Sequence, residues 1–127
     1  MSETARRAKV LCVDDDYGQR MLLSFLLERQ GLEVRTASSG EEGVALAREW
    51  MPDLILMDLM MPGTDGFRAT ELLRADPSTA DIPVLALTAY GEEKMQSRAK
   101  QVGMNGFILK TILPADLTEI VKKHLPS

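Results

Sequence analysis

Leu54-Ile55-Leu56-Met57-Asp58 and Lys9-Val10-Leu11-Cys12-Val13-Asp14-Asp15-Asp16 decide the reading of this chain: each is an apolar run that breaks off into aspartate. A strand that faces solvent on one side alternates apolar and polar residues, whereas these runs are nearly continuous, as in strands covered on both faces. Residues 33–36, 84–87 and 106–109 give three more candidate strands, the last two followed by Thr88-Ala89 and Lys110. Longer amphipathic stretches separate all five. Such alternation is the pattern of an α/β domain around a parallel sheet.

The intervening helices have legible ends. Residues 17–30 place Met21, Leu22, Phe25 and Leu26 on one side at helical spacing, with Gly31 where a helix would stop. Ser39-Gly40-Glu41-Glu42 reads as a capping box ahead of Val44, Ala47 and Met51, and Pro52 stops that helix. A third helix is expected over 65–74, with Phe67, Thr70 and Leu73 turned partly inward. Residues 92–102 are polar with few apolar anchors, which predicts the least firmly packed helix. Pro114 suits the first turn of the last helix, which directs Leu117, Ile120 and Val121 toward the sheet. Five βα units with right-handed crossovers and short loops predict a doubly wound five-stranded sheet of order 2-1-3-4-5, the flavodoxin-like arrangement.

The 127 residues are read as one domain, with 1–7 a flexible N-terminal segment. Fifteen Lys and Arg against 19 Asp and Glu leave a net charge of −4 with no basic patch, so direct nucleic-acid binding is not expected. No segment stays apolar for the ~20 residues a bilayer needs, and nothing ahead of Val10 resembles a signal peptide. A soluble cytoplasmic protein is the expectation. The single cysteine, Cys12, reads as a buried hydrophobe and rules out a disulfide within the chain.

In open parallel sheets, ligands bind beyond the carboxyl ends of the strands, where the winding direction reverses. There this chain places Asp14, Asp15 and Asp16 after strand 1, Asp58 after strand 3, Thr88 after strand 4 and Lys110 after strand 5. One aspartate after a strand is ordinary, because it caps the next helix, and Asp16 is open to that reading. Three acids converging on one edge repel each other unless a cation neutralises them. An all-oxygen site open to water suits Mg²⁺, which shares its shell readily with phosphate. A flavin or nucleotide cradle would instead want a Gly/Ser/Thr-rich first loop.

The motifs Val13-Asp14-Asp15, Met57-Asp58-Leu59-Met60-Met61-Pro62, Asp65-Gly66, Leu87-Thr88-Ala89 and Phe107-Ile108-Leu109-Lys110, in this order, closely resemble the receiver domain of bacterial two-component response regulators over about residues 9–124. The resemblance implies a phosphoacceptor switch in a phosphorelay: Asp58 takes a phosphoryl group from a phosphohistidine of a histidine kinase or histidine phosphotransfer protein. It implies Mg²⁺ held by Asp15 directly, by Asp14 mainly through water, by Asp58, and by the backbone carbonyl of Met60. Lys110 and Thr88 would neutralise and bind the phosphoryl oxygens. It also implies a switch in which Thr88 moves toward the phosphoryl group and Phe107 fills the vacated space. The downstream target would read the fourth helix, fifth strand and fifth helix, as a monomer or a phosphorylation-dependent dimer.

Several positions depart from the family pattern. Thr111 stands where relatives commonly have a proline after a cis bond, which leaves the Lys110 loop conformation open, since a non-proline cis bond costs about 2.5–4 kcal/mol. Phe107 replaces a frequent tyrosine and lacks its hydroxyl, which favours an inward ring. Thr64 and Gly106 stand at positions more often apolar and acidic, with little chemical consequence expected. Met60 and Tyr90 flank the approach of water to Asp58 and offer no group to orient it, which predicts slow self-hydrolysis. The implied protein is a signalling domain and no enzyme beyond its own phosphoryl chemistry. Two alternatives remain at this point: an aspartyl-phosphate phosphatase resembling haloacid dehalogenases, with its nucleophile at Asp14, and a phosphorylation-deficient interaction module.

Overall fold

The structure is a computed structural model and describes residues 6–126. Strands β1 (Lys9–Val13), β2 (Glu33–Ala37), β3 (Leu54–Met57), β4 (Val84–Thr88) and β5 (Gly106–Leu109) alternate with helices α1 (Tyr17–Glu28), α2 (Gly40–Trp50), α3 (Gly66–Ala75), α4 (Glu93–Gln101) and α5 (Pro114–Lys123). All neighbouring strands run parallel, in the expected order β2-β1-β3-β4-β5. From β1 the chain builds outward to β2, then crosses back to β3 on the other side. The reversal therefore falls between the two strands that end in aspartate. Val13 pairs with Met57, and the Asp58 N–H donates to the Val13 carbonyl at 2.9 Å, so Asp14 and Asp58 emerge side by side.

Period-two alternation sorts the strand side chains onto two cores. Leu11, Val13, Ile55, Met57, Val84 and Ala86 pack under α2, α3 and α4 with Val44, Ala47, Phe67 and Leu73. Val10, Cys12, Leu54, Leu56, Leu85 and Leu87 pack under α1 and α5 with Leu23, Leu27, Leu117 and Val121. Both faces are thus covered, as the unbroken apolar runs require.

The inward face of α1 differs from the expected one. Leu23 and Leu27 are buried and Leu26 is partly so, whereas Met21, Leu22 and Phe25 are 51, 49 and 58% exposed. Residues 21–27 are apolar except for Ser24, so helical spacing fits two stripes and cannot choose between them. Packing against β1, β2 and α5 sets the phase. The helix also stops at Glu28, short of residue 30, with Gly31 at a φ of +83°.

Other elements follow expectation with small shifts. Phe67, Thr70 and Leu73 of α3 are wholly buried rather than partly, and Asp65 caps the helix from outside it, accepting from the Arg68 N–H at 2.8 Å. In the capping box Ser39 accepts from the Glu42 N–H, but Glu42 reaches one residue further back, to the Ser38 N–H and hydroxyl. Helix α4 buries only Ala99 and has no side-chain cap at Glu92. No peptide bond among the described residues is cis, so Lys110–Thr111 is trans. At Gly106 a Cβ would press on the Leu85 side chain, a packing reason for the residue. Of the segment expected to be flexible, residues 1–5 lie outside the described residues; Arg6 pairs with Asp53 at 3.2 Å.

Candidate functional site

Each strand end delivers one part of the site. Asp14 is 2% exposed after β1, Asp58 is 6% exposed after β3, and Thr88 is buried as the last residue of β4. Lys110, just past β5, reaches across the sheet edge: its Nζ lies 2.8 Å from Asp14 Oδ2 and 3.2 Å from Asp58 Oδ2. Asp15 is exposed beside them, and one carboxylate oxygen from each of Asp14, Asp15 and Asp58 lies within 4.8 Å of the others.

The local fold explains how these acids stay together. Asp16 begins α1 by accepting the Gln19 N–H at 2.7 Å, which frees the two preceding aspartates from capping. The Asp14 Oδ1 accepts the Asp16 N–H at 2.9 Å, while its own N–H donates to the Ala37 carbonyl at 3.1 Å. Across the edge, Gly66 lets the start of α3 close onto the β3 end, since a Cβ there would fall on the Asp58 carbonyl. That contact holds the Asp58 backbone in place.

Burial raises the Asp58 carboxyl above the ordinary carboxylate range, and the Asp14 charge adds to this; Lys110 and the Met60 N–H pull the other way. For Lys110, burial works against the ammonium, but the hydrogen bond to Asp14 and the charges of Asp58 and Asp14 outweigh it and leave the lysine raised. Two carboxylates share one ammonium, so the site carries surplus negative charge. Its donors are hard oxygens with one carboxylate, Asp15, open to solvent, which fits a small divalent cation holding several waters.

The remaining expected residues take positions around this centre. The Thr88 hydroxyl accepts the Tyr90 N–H at 3.2 Å. Thr88 and Phe107 lie on the α4 side of the sheet, and Phe107 is half-buried against that core, neither fully in nor fully out. Met60 and Tyr90 are 51 and 52% exposed in the loops after β3 and β4. Sequence reasoning overlooked Arg20, whose Nη1 donates to the Asp14 carbonyl at 2.8 Å. The available signal was a long basic residue in the first turns of α1, where side chains lean back toward the helix start. It also missed Arg98 of α4, stacked 4.2 Å from the centre of the Phe67 ring.

An open parallel sheet that gathers three carboxylates, a lysine and a buried threonine at the carboxyl ends of its strands defines a class, the doubly wound domains with an acidic site at the sheet edge. Within that class the chain belongs to the response regulator receiver domain family, whose model matches residues 10–122. Protein PilH of Pseudomonas aeruginosa is 39% identical over 105 residues, 83% of this chain and 87% of PilH. The chemotaxis protein CheY4 of Vibrio cholerae superposes with a TM-score of 0.90 at 32% identity, covering 94% of this chain and all of that one. The receiver domain of a Pseudomonas aeruginosa sensor histidine kinase, solved with magnesium in its active-site cleft, aligns at a TM-score of 0.88 and 29% identity, over 96% of this chain and all of that one. The chain spans about half the length of several transcriptional regulators it also matches. It is a receiver domain of the two-component response regulators. No helix among the described residues is long and apolar enough to cross a membrane.

Proposed function

We propose that Asp58 is the phosphoacceptor and that Asp14, Asp15, Asp58 and the Met60 carbonyl hold Mg²⁺ beside it. The observation that carries this reading is the Lys110 ammonium bridging Asp14 and Asp58, which leaves Asp58 both nucleophilic carboxylate and neighbour of a fixed positive charge. Phosphoryl transfer asks little covalent chemistry of a protein beyond alignment and charge neutralisation. The cation supplies charge neutralisation for the incoming phosphoryl oxygens. Lys110 supplies a second positive charge, and Thr88, by turning its hydroxyl from the Tyr90 N–H, a donor. Phe107, on the same sheet face as Thr88, is the ring that follows it, and α4, β5 and α5 form the surface a downstream protein reads.

The donor is a phosphohistidine on a kinase or phosphotransfer protein. Tyr17 at the start of α1, and Met60, Tyr90 and Leu113 in the loops after β3, β4 and β5, are 68, 51, 52 and 67% exposed, and Met21, Leu22 and Phe25 of α1 are exposed as well. Exposed apolar side chains around a site suit a protein partner better than a small phosphate ester. Residues 1–127 act as one unit, cytoplasmic, monomeric or dimerising on phosphorylation. Treating the protein with acetyl phosphate and Mg²⁺ and mapping the product by mass spectrometry tests the assignment: label at Asp58 supports it, label at Asp14 returns the phosphatase reading, and no label leaves an interaction module. Met60 and Tyr90 offer water no carboxylate or amide, so the acyl phosphate persists for minutes or longer. A half-life of seconds in the purified phosphoprotein would refute that part.

A further inference from the structure

Asp15 is the exposed member of the acid cluster, and among the described residues its carboxylate makes no hydrogen bond. Its position therefore depends on its backbone. The peptide plane after Asp15 is held by the Asp16 N–H, which donates to Asp14 Oδ1 at 2.9 Å. The plane before it, the Asp14–Asp15 peptide, is held at its carbonyl by Arg20 Nη1 at 2.8 Å. With both planes fastened, the two backbone dihedrals of Asp15 have little freedom, and its side chain is aimed at the site without any contact of its own.

Arg20 is well built for this. It sits in the second turn of α1, its backbone N–H bonded to the Asp16 carbonyl at 3.1 Å. Its side chain runs back over the helix start, as helical side chains do. The guanidinium lies 5.7 Å from the centre of the Tyr17 ring, and among the described residues it forms no ion pair with a carboxylate. A guanidinium beside an acid cluster would ordinarily be counted as a counter-charge. Among the described residues, its one hydrogen bond goes to a main-chain carbonyl.

We infer that Arg20 is a positioning residue for the divalent cation: it orients the Asp14–Asp15 peptide so that the Asp15 carboxylate is presented to the metal. The inference rests on the proposed reading that Asp15 is a direct ligand. Charge and positioning predict opposite signs, which makes the test sharp. A nearby positive charge repels Mg²⁺, so on charge alone its removal tightens binding. If Arg20 positions Asp15, its removal weakens binding, by about tenfold as is usual for groups that orient metal ligands.

The experiment is a titration of the unphosphorylated full chain with MgCl₂, followed by the amide shifts of Asp15, Asp58 and Met60. R20M removes the charge and the donor, R20Q keeps a polar side chain of shorter reach, and R20K keeps the charge with a single-point donor. Arg20 is half-exposed on a helix surface, and a cooperative urea transition seen by Trp50 emission checks that each variant folds. The expected result is a dissociation constant about tenfold higher in R20M and R20Q, with R20K between them and the parent. Binding by R20M as tight as the parent, or tighter, overturns the inference while leaving the cation site intact. Absence of saturable Mg²⁺ binding in the parent overturns the site reading, and the Arg20 role with it.

Discussion

Replacing Lys110 by methionine probes the electrostatics on which the site depends. The ammonium is 2.8 Å from one carboxylate and 3.2 Å from another, and both carboxylates are almost fully buried, at 3 and 7% side-chain exposure. At an effective dielectric of 20 the two attractions amount to about 6 and about 5 kcal/mol gross, much of it offset by desolvation of the ammonium. Removing the lysine leaves two carboxylates facing each other, and breaking such a buried pair costs about 3–5 kcal/mol. Burial and Asp14 already raise the Asp58 carboxyl, and the variant loses the lysine that opposes them. The net loss for K110M in metal-free buffer at pH 8 is therefore about 3 kcal/mol, a fall of about 1.5–2 M in urea midpoint. The pH sign follows from the same group. Loss of the cation raises the folded-state pKa of Asp58 further above its unfolded value, so the K110M deficit is smallest at low pH and grows as pH rises through the folded value. Millimolar Mg²⁺ should recover most of the loss by supplying the missing charge. Trp50 emission reports the unfolding, because the indole packs in the core with Lys9 and Arg35 over its ring, away from the site. A K110M protein as stable as the parent at pH 8 without metal, or a deficit indifferent to both pH and Mg²⁺, would refute the reasoning.

The remaining predictions start from the same unfolding assay and add phosphoryl uptake or Mg²⁺ binding where named. Asp58→Asn removes a carboxylate whose charge burial and Asp14 both disfavour, so in metal-free buffer at neutral pH it should unfold at higher urea than the parent; a loss of more than about 1 kcal/mol would contradict the raised carboxyl. The same variant should take up no phosphoryl group from acetyl phosphate. Burial, with Asp14 adding to it, pushes the Cys12 thiol from 9.0 up to about 12. The unfolded chain thus ionises first, and stability should fall between pH 9 and 12, by at most about 4 kcal/mol from this group. Cys12→Val should flatten that slope relative to the parent, and an unchanged slope would exclude the thiol as its source. Gly66→Ala should cost about 1–3 kcal/mol, because its methyl group must push α3 off the Asp58 carbonyl, and should also weaken Mg²⁺ binding. Wild-type stability in that variant would mean the loop yields without strain.

Local patterning was enough to read the architecture. Unbroken apolar runs at 10–13 and 54–57 mark strands covered on both faces, and a parallel order follows once helices lie between them. The acids, the threonine and the lysine were legible too, because parallel strands all deliver their carboxyl ends to one edge and adjacency there needs no knowledge of packing. Three matters needed the folded molecule. The phase of α1 was one: seven residues with a single polar interruption fit two stripes, and only contact with β1, β2 and α5 chose Leu23 and Leu27. The half-buried ring of Phe107 was another, since its depth is set by how α4 lies over β5. The third was Arg20, which serves a carbonyl six residues earlier; hydrogen bonds to main-chain atoms leave no trace in residue type, because every residue offers the same carbonyl. Sequence thus determined which chemical groups meet at the sheet edge, through strand direction and connection order. Tertiary structure decided how each group is aimed, because aim depends on the packing and hydrogen bonds of neighbours distant along the chain.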